Sequence, residues 1–175
     1  MRTTTISPIQ QIQSTEHTLH ETRDALQERF GTDRRLPKEL REESRGMNWN
    51  LFTATYCPAP TLDIKFLSSE QHNLYSTRFS AEITATSKTE APVTFTREIL
   101  ASGPTSAISH MLADEGRHVE ILKFHQIELF EATVTIVKIS HQVNHLHTAW
   151  AVGFGPTSET SIAAALSSAA QRIYG

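Results

Sequence analysis

The phrase Gly103-Pro104-Thr105-Ser106 is spelled a second time as Gly155-Pro156-Thr157-Ser158, 52 residues later, and its surroundings repeat with it. Each copy follows an apolar, β-branched run (93–100 and 149–154) and precedes a run of helix formers (107–114 and 161–172). Both copies therefore read as strand-to-helix corners. Glycine tolerates the bend, and proline suits the first helical position, where its missing N–H costs nothing. Thr and Ser then fall in the first turn, among N–H groups without an intrahelical partner. Two such corners predict a duplicated unit of three strands and a helix, with two helix N-termini able to receive an anion such as a ligand carboxylate. The plainer alternative is that GPTS is good helix-start chemistry and nothing more.

The chain is long enough for one domain and an appendage, and 38% apolar residues suffice for a proper core. A net charge of −3 with no long basic run gives no electrostatic case for nucleic acid or an anionic membrane. The single cysteine, Cys57, excludes an internal disulfide framework. The first residues lack a signal-peptide core and no apolar stretch is long enough to cross a bilayer, so a cytoplasmic protein is expected.

Ser7-Pro8 is a good helix start after a frayed tail. Ile12, Leu19 and Leu26 follow at seven-residue spacing, with Ile9 and Phe30 beside them and Gly31 as the stop. This predicts one amphipathic helix. Residues 32–45 are highly charged and read as a linker with a short helix after Pro37. The folded domain is expected from Met47, giving a helix-and-linker segment over 1–46 and a domain over 47–175 with repeat units at about 61–116 and 117–175. Strands are predicted at 62–67, 77–86, 93–100, 119–127, 132–139 and 145–154, with a period of two that buries one face and wets the other. Helices follow each corner, the first carrying Ile108, Met111 and Leu112 and stopping at Gly116. The second turns Ile162, Ala165, Leu166, Ala169 and Ile173 inward. The fold class is α+β: two βββα units related by a pseudo-twofold, preceded by an N-terminal amphipathic helix.

The stretch ASGPTSAISHMLADEGRHVEILKFHQIEL, followed by TAWAVGFGPTSETSIAAALSSAAQRI, resembles the C-terminal regulatory, leucine-binding and dimerisation domain of the 2-isopropylmalate synthases. The resemblance runs from about Met47 to Gly175 and rests on the order of several motifs. It implies a pseudo-twofold pair of βββα units that dimerises and holds leucine near the interface. The family's catalytic TIM barrel needs about 250 residues, so the resemblance implies a stand-alone regulatory domain that does not catalyse the condensation. Carried over by position, the family's G-x-G-P loop falls on Ala101-Ser102-Gly103-Pro104, with Thr105 and Ser106 after it. The lining of the leucine side chain falls on Ile121, Phe124, Phe154 and Gly155. Glu128 stands where a small residue is usual, and the Gly/Ala-rich loop after it shrinks to Leu129-Phe130-Glu131.

The histidines form a rival constellation. His141, His145 and His147 lie within seven residues, and His145-Leu146-His147 would place two imidazoles on one strand face, a spacing that can ligate zinc. Exposed loop histidines of this kind are more often just solvated, no Asp or Glu stands close by in sequence to complete a catalytic set, and no cofactor is expected. His110, His118 and His125 read as helix-surface or strand positions. Cys57 has no basic neighbour in sequence and reads as a bland buried thiol. Asp114 and Glu115 read as a solvated helix end. Three function classes remain. The chain is a homodimeric sensor of leucine or a related branched-chain acid, a ligand-free structural partner of a full-length synthase, or a small metalloprotein using the histidines.

Overall fold

The computed structural model describes residues 23–175. The expected helix positions Ile9, Ile12 and Leu19 lie outside the described residues. Three short helices, α1 (Ala25–Phe30), α2 (Lys38–Glu43) and α3 (Trp49–Tyr56), precede the first unit. That unit comprises β1 (Leu62–Gln71), β2 (Thr77–Ala85), β3 (Val93–Ala101) and α4 (Pro104–Asp114). The second comprises β4 (Val119–Glu128), β5 (Thr133–His141), β6 (Thr148–Gly155) and α5 (Ser158–Tyr174). Each unit is a three-stranded antiparallel meander closed by its helix, as the duplicated corner predicts. The ladder slips at Leu67 in β1 and at Leu122 in β4, so the first strand of each unit carries one bulge.

The main core lies between the sheets and the two long helices. Phe79, Ala81 and Ile83 of β2 and Val137 and Ile139 of β5 meet Ile108, Met111 and Leu112 of α4 and Ile162, Ala165 and Leu166 of α5. Small residues let α5 lie close on β6. A Cβ at Gly153 would stand 2.1 Å from the Ala165 nitrogen and 2.4 Å from the Ser161 carbonyl oxygen, so only glycine fits beneath that turn.

The outer faces of the two sheets differ. The first sheet turns polar residues to solvent, including Glu82, Thr84, Thr94 and Thr96, as a period of two requires. In the second, β5 and β6 are covered on both faces, while β4 at the edge is largely exposed. Val134, Ile136, Trp150 and Val152 point away from α5 and form another buried cluster with Leu26, Leu36, Leu40, Phe52 and Tyr56. The wet face expected of β5 is thus absent, and its sequence carries the sign: Val134-Thr135-Ile136-Val137-Lys138-Ile139 is a nearly continuous apolar run, the mark of a strand buried on both sides.

The same packing revises the N-terminal reading. Asp24 is extended and caps α1, its carboxylate accepting from the N–H groups of Leu26 (3.1 Å), Gln27 (3.0 Å) and, across the loop, Leu36 (2.8 Å). The helix therefore begins at Ala25, and Leu26 belongs to a short capped turn, not to one continuous helix from Pro8. Gly31 ends it in the left-handed conformation (φ 61°), as expected. The short helix after Pro37 is present, yet Leu36 and Leu40 are fully buried on the second sheet, so packing runs across residue 46 and the charged stretch is more than a linker.

Candidate functional site

The two corners are built differently. At the first, β3 ends at Ala101 and α4 starts at Pro104, with Gly103 as the N-cap. Glycine offers no capping oxygen, and no side chain takes that place, so the first turn of α4 has no side-chain cap. Gly103 itself is extended, with no atom within 4 Å of an added Cβ. At the second, Gly155 still belongs to β6 and α5 starts only at Ser158. The cap is Thr157, which accepts from the Thr160 N–H (3.3 Å), while Thr160 Oγ1 accepts from the Thr157 N–H (3.0 Å). The expectation of Pro at the first helical position therefore holds for Pro104 and fails for Pro156, which lies outside its helix.

The second corner is also closed by a polar network that sequence reasoning did not find. Gln126 Nε2 donates to Thr135 Oγ1 (3.0 Å) and Ser158 Oγ (2.9 Å), and Ser158 Oγ donates back to Gln126 Oε1 (3.1 Å). Thr135 and Ser161, both fully buried, share a hydrogen bond of 2.7 Å. Gly155 lies against this turn, where a Cβ would stand 2.2 Å from Thr160 Oγ1 and 2.6 Å from the Ser161 nitrogen; its role is close approach. The second helix N-terminus is thus satisfied by side chains, and of the two only the first lacks a side-chain cap.

The other expected site residues are dispersed. Ile121 packs against the main core. Phe124 is 40% exposed and lines a depression of about 440 Å³ with Pro37, Glu39, Lys123 and Trp150. Glu128 lines another of about 440 Å³ with Phe30, Arg34 and Phe130. Phe154 sits on the far face of the second sheet, its ring 6.0 Å from that of Phe30 and 5.8 Å from that of Trp49. None of these depressions is lined by Ser102, Gly103, Pro104, Thr105 or Ser106. Phe124 and Glu128 thus line separate depressions, neither of which includes a residue of the corner.

Electrostatically, Glu39 is the most perturbed carboxylate: hydrogen bonds from the Lys123 and Lys138 ammonium groups hold it at about 2. Burial pushes the Cys57 thiol up to about 12, which fits an inert cysteine. Asp114 and Glu115 are not merely solvated, because Arg97 of β3 reaches both, at 2.7 and 2.8 Å.

The histidine triplet does not assemble. His145-Leu146-His147 lies in the β5–β6 connection, since β6 begins only at Thr148, and no strand face aligns the two rings. His141 Nδ1 accepts from the N–H groups of Val143 and Asn144 (both 3.1 Å), which fixes the loop and occupies that nitrogen. Among the described residues no three His, Cys, Asp or Glu side chains stand as a metal-binding group.

Fold and corner together define a duplicated α+β domain with one uncapped helix N-terminus and one self-capped. Neither a protein-family model nor a curated protein matches the chain. No helix among the described residues is long and apolar enough to cross a membrane.

Proposed function

We propose that the chain is a regulatory and dimerisation domain of the 2-isopropylmalate synthase type, binding leucine or a related branched-chain acid, and that it serves leucine biosynthesis as a sensor and not as a catalyst. The observation that carries this reading is the inequality of the two corners. The repeated GPTS phrase is spent on self-capping in the second unit and is left uncapped in the first, where unsatisfied N–H groups and the helix dipole favour a carboxylate. Burial of a leucine-sized side chain contributes about 1.5–3 kcal/mol, against about 0.3–1 kcal/mol from the dipole, so an apolar wall must complete the site. Phe124 and Phe154 lie elsewhere, in a depression without any residue of the corner and on the far face of the second sheet, and a second copy of the chain is the proposed source of that wall.

A second reading has its own observation. The dispersal of the expected lining residues favours a ligand-free structural partner that docks on a full-length synthase or on itself. Calorimetric titration with leucine, isoleucine, valine and their 2-oxo acids, combined with light scattering, separates the two. A dimer that binds one of these acids supports the sensor, and a dimer that binds none supports the structural partner. A monomer that binds none removes the sensor and the self-docking form of the second reading.

A further inference from the structure

The β5–β6 loop, residues 142–147, is organised around one side chain. His141, the last residue of β5, accepts at Nδ1 from the N–H groups of Val143 and Asn144 (both 3.1 Å), the residues two and three places on. Its backbone N–H donates to the His147 carbonyl (3.0 Å), and the His147 N–H donates to the Asn144 carbonyl (2.9 Å), so the turn closes on itself. The first unit builds a turn in the same way with another residue. Asn73 Oδ1, in the β1–β2 loop, accepts from the N–H groups of Tyr75 and Ser76 (both 2.9 Å), again two and three places on. An amide oxygen accepts at any pH, whereas an imidazole nitrogen accepts only while it is unprotonated. The two loops share a geometry and differ in chemistry.

The groups around His141 come from every element packed there. Its ring lies 5.0 Å from that of Tyr174 of α5, whose hydroxyl donates to the His118 carbonyl (2.6 Å). Burial pushes the Tyr174 hydroxyl up from its ordinary value, so it stays neutral and supplies no countercharge. Across the ladder His141 faces Val119 of β4, and the Gln142 N–H donates to the His118 carbonyl (3.4 Å). The other ionisable groups are His118 and Glu120 of β4, His110 of α4 and, on the loop, His145 and His147; all but His147 line one cleft beside the loop. Arg117, next to His118, is turned onto Thr61 Oγ1 (2.6 Å), and Lys138 of β5 onto Glu39 (3.0 Å). Glu120 Oε2 stands 3.3 Å from His145 Nδ1, an ion pair only when His145 is protonated. His141 and His145 therefore ask opposite charge states of one loop.

We propose that the β5–β6 loop is a pH-sensitive element: unprotonated His141 holds the turn, and protonation of its Nδ1 releases it. Both N–H bonds are lost at once, because an imidazolium has no acceptor nitrogen left. The same acidification makes His145 a cation beside Glu120, so the loop exchanges an internal tie for one to the β4 edge. What moves is the apex, where Val143 and Leu146 are 84% and 95% exposed, and the exchange alters the apolar surface that the chain presents. The device is independent of the acid-binding reading and stands or falls separately from it.

The test is nuclear magnetic resonance on the full nitrogen-labelled chain, titrated from about pH 8 to 5, the range in which imidazole changes charge. The expected result at the upper end is an unprotonated Nδ1 and a protonated Nε2 on His141. As pH falls, the amide resonances of Val143 and Asn144 move together and in step with the His141 ring. In His141→Asn, where the side-chain oxygen takes over the two bonds as Asn73 does in its own loop, both amides hold still over that range. In His145→Ala they move as in the wild type. Circular dichroism checks the folding of both variants, and the wild-type ring nitrogens carry the test without them. A protonated Nδ1 on His141 at the upper end overturns the proposal, as do wild-type amides that do not titrate with the ring. So does a titration of these amides that persists in His141→Asn or disappears in His145→Ala.

Discussion

Adding one methyl group at Gly153 should damage the fold more than any change at the first corner. The new Cβ would lie 2.1 Å from the Ala165 nitrogen, 2.4 Å from the Ser161 carbonyl oxygen and 2.7 Å from the Ala165 Cα. All three are helix backbone atoms, so no rotamer change relieves the overlap and α5 must move off β6 as a body. Ile162 and Leu166, on the same buried face, lose contacts in that movement. Overpacking of this kind costs about 1–3 kcal/mol, and the rigid obstacle places Gly153→Ala toward the upper end. For a chain of this size about 2–4 °C of melting temperature is lost per kcal/mol, so the expected fall is roughly 2–12 °C. Gly103→Ser is the control, because that site has no atom within 4 Å and serine is a good N-cap; its melting temperature should equal or exceed the wild type's. Differential scanning calorimetry reads both. A Gly153→Ala variant that melts with the wild type refutes the close helix–sheet contact, and with it the reason assigned to the glycines of β6.

Leu40→Ala should cost about 2–5 kcal/mol in urea unfolding, since Leu40 is fully buried between α2 and the second sheet; a change near zero would mean that α2 is not part of the folded unit. Glu39 is held near 2 by Lys123 and Lys138, below its ordinary 4.5, so its stabilising contribution is full above pH 4.5 and is lost as pH falls toward 2. Unfolding curves of wild type and Glu39→Gln should therefore differ at neutral pH, less so in high salt because the pair is exposed, and converge on acidification. A gap that persists at pH 2 would place the effect elsewhere.

The fold was legible in the sequence where local chemistry and pattern agreed. The duplicated corner, the alternation over 79–85 and the helix positions from Ile108 to Leu112 all lie where the structure has them. What escaped was decided at a distance. Whether β5 is wet on one side depends on what covers it, and the cover comes from Leu26, Leu36, Leu40, Phe52 and Tyr56, about a hundred residues earlier. The run Val134 to Ile139 was the available signal. Similarly, Asp24 reads as one more charge on a polar helix face until its carboxylate is seen to serve three N–H groups. The two GPTS copies look identical in sequence, yet in the second the strand continues through Gly155 and the helix waits for Thr157, because Thr160 three residues on completes a reciprocal cap. The Gln126 network joins residues up to 35 positions apart, a separation no local pattern reports.

The central claim is that the first corner receives the carboxylate of a branched-chain acid on the uncapped N–H groups of α4. Gly103→Asp tests it directly, because it places a carboxylate of the chain's own at the N-cap without steric conflict and leaves the rest of the domain untouched. The measurement is the leucine affinity of wild type and Gly103→Asp by calorimetry at one pH and salt concentration. The account predicts saturable binding by the wild type and at least tenfold weaker binding by the variant, with the variant's melting temperature equal or higher. Equal affinity in the two proteins, or no leucine binding by the wild type, would contradict it.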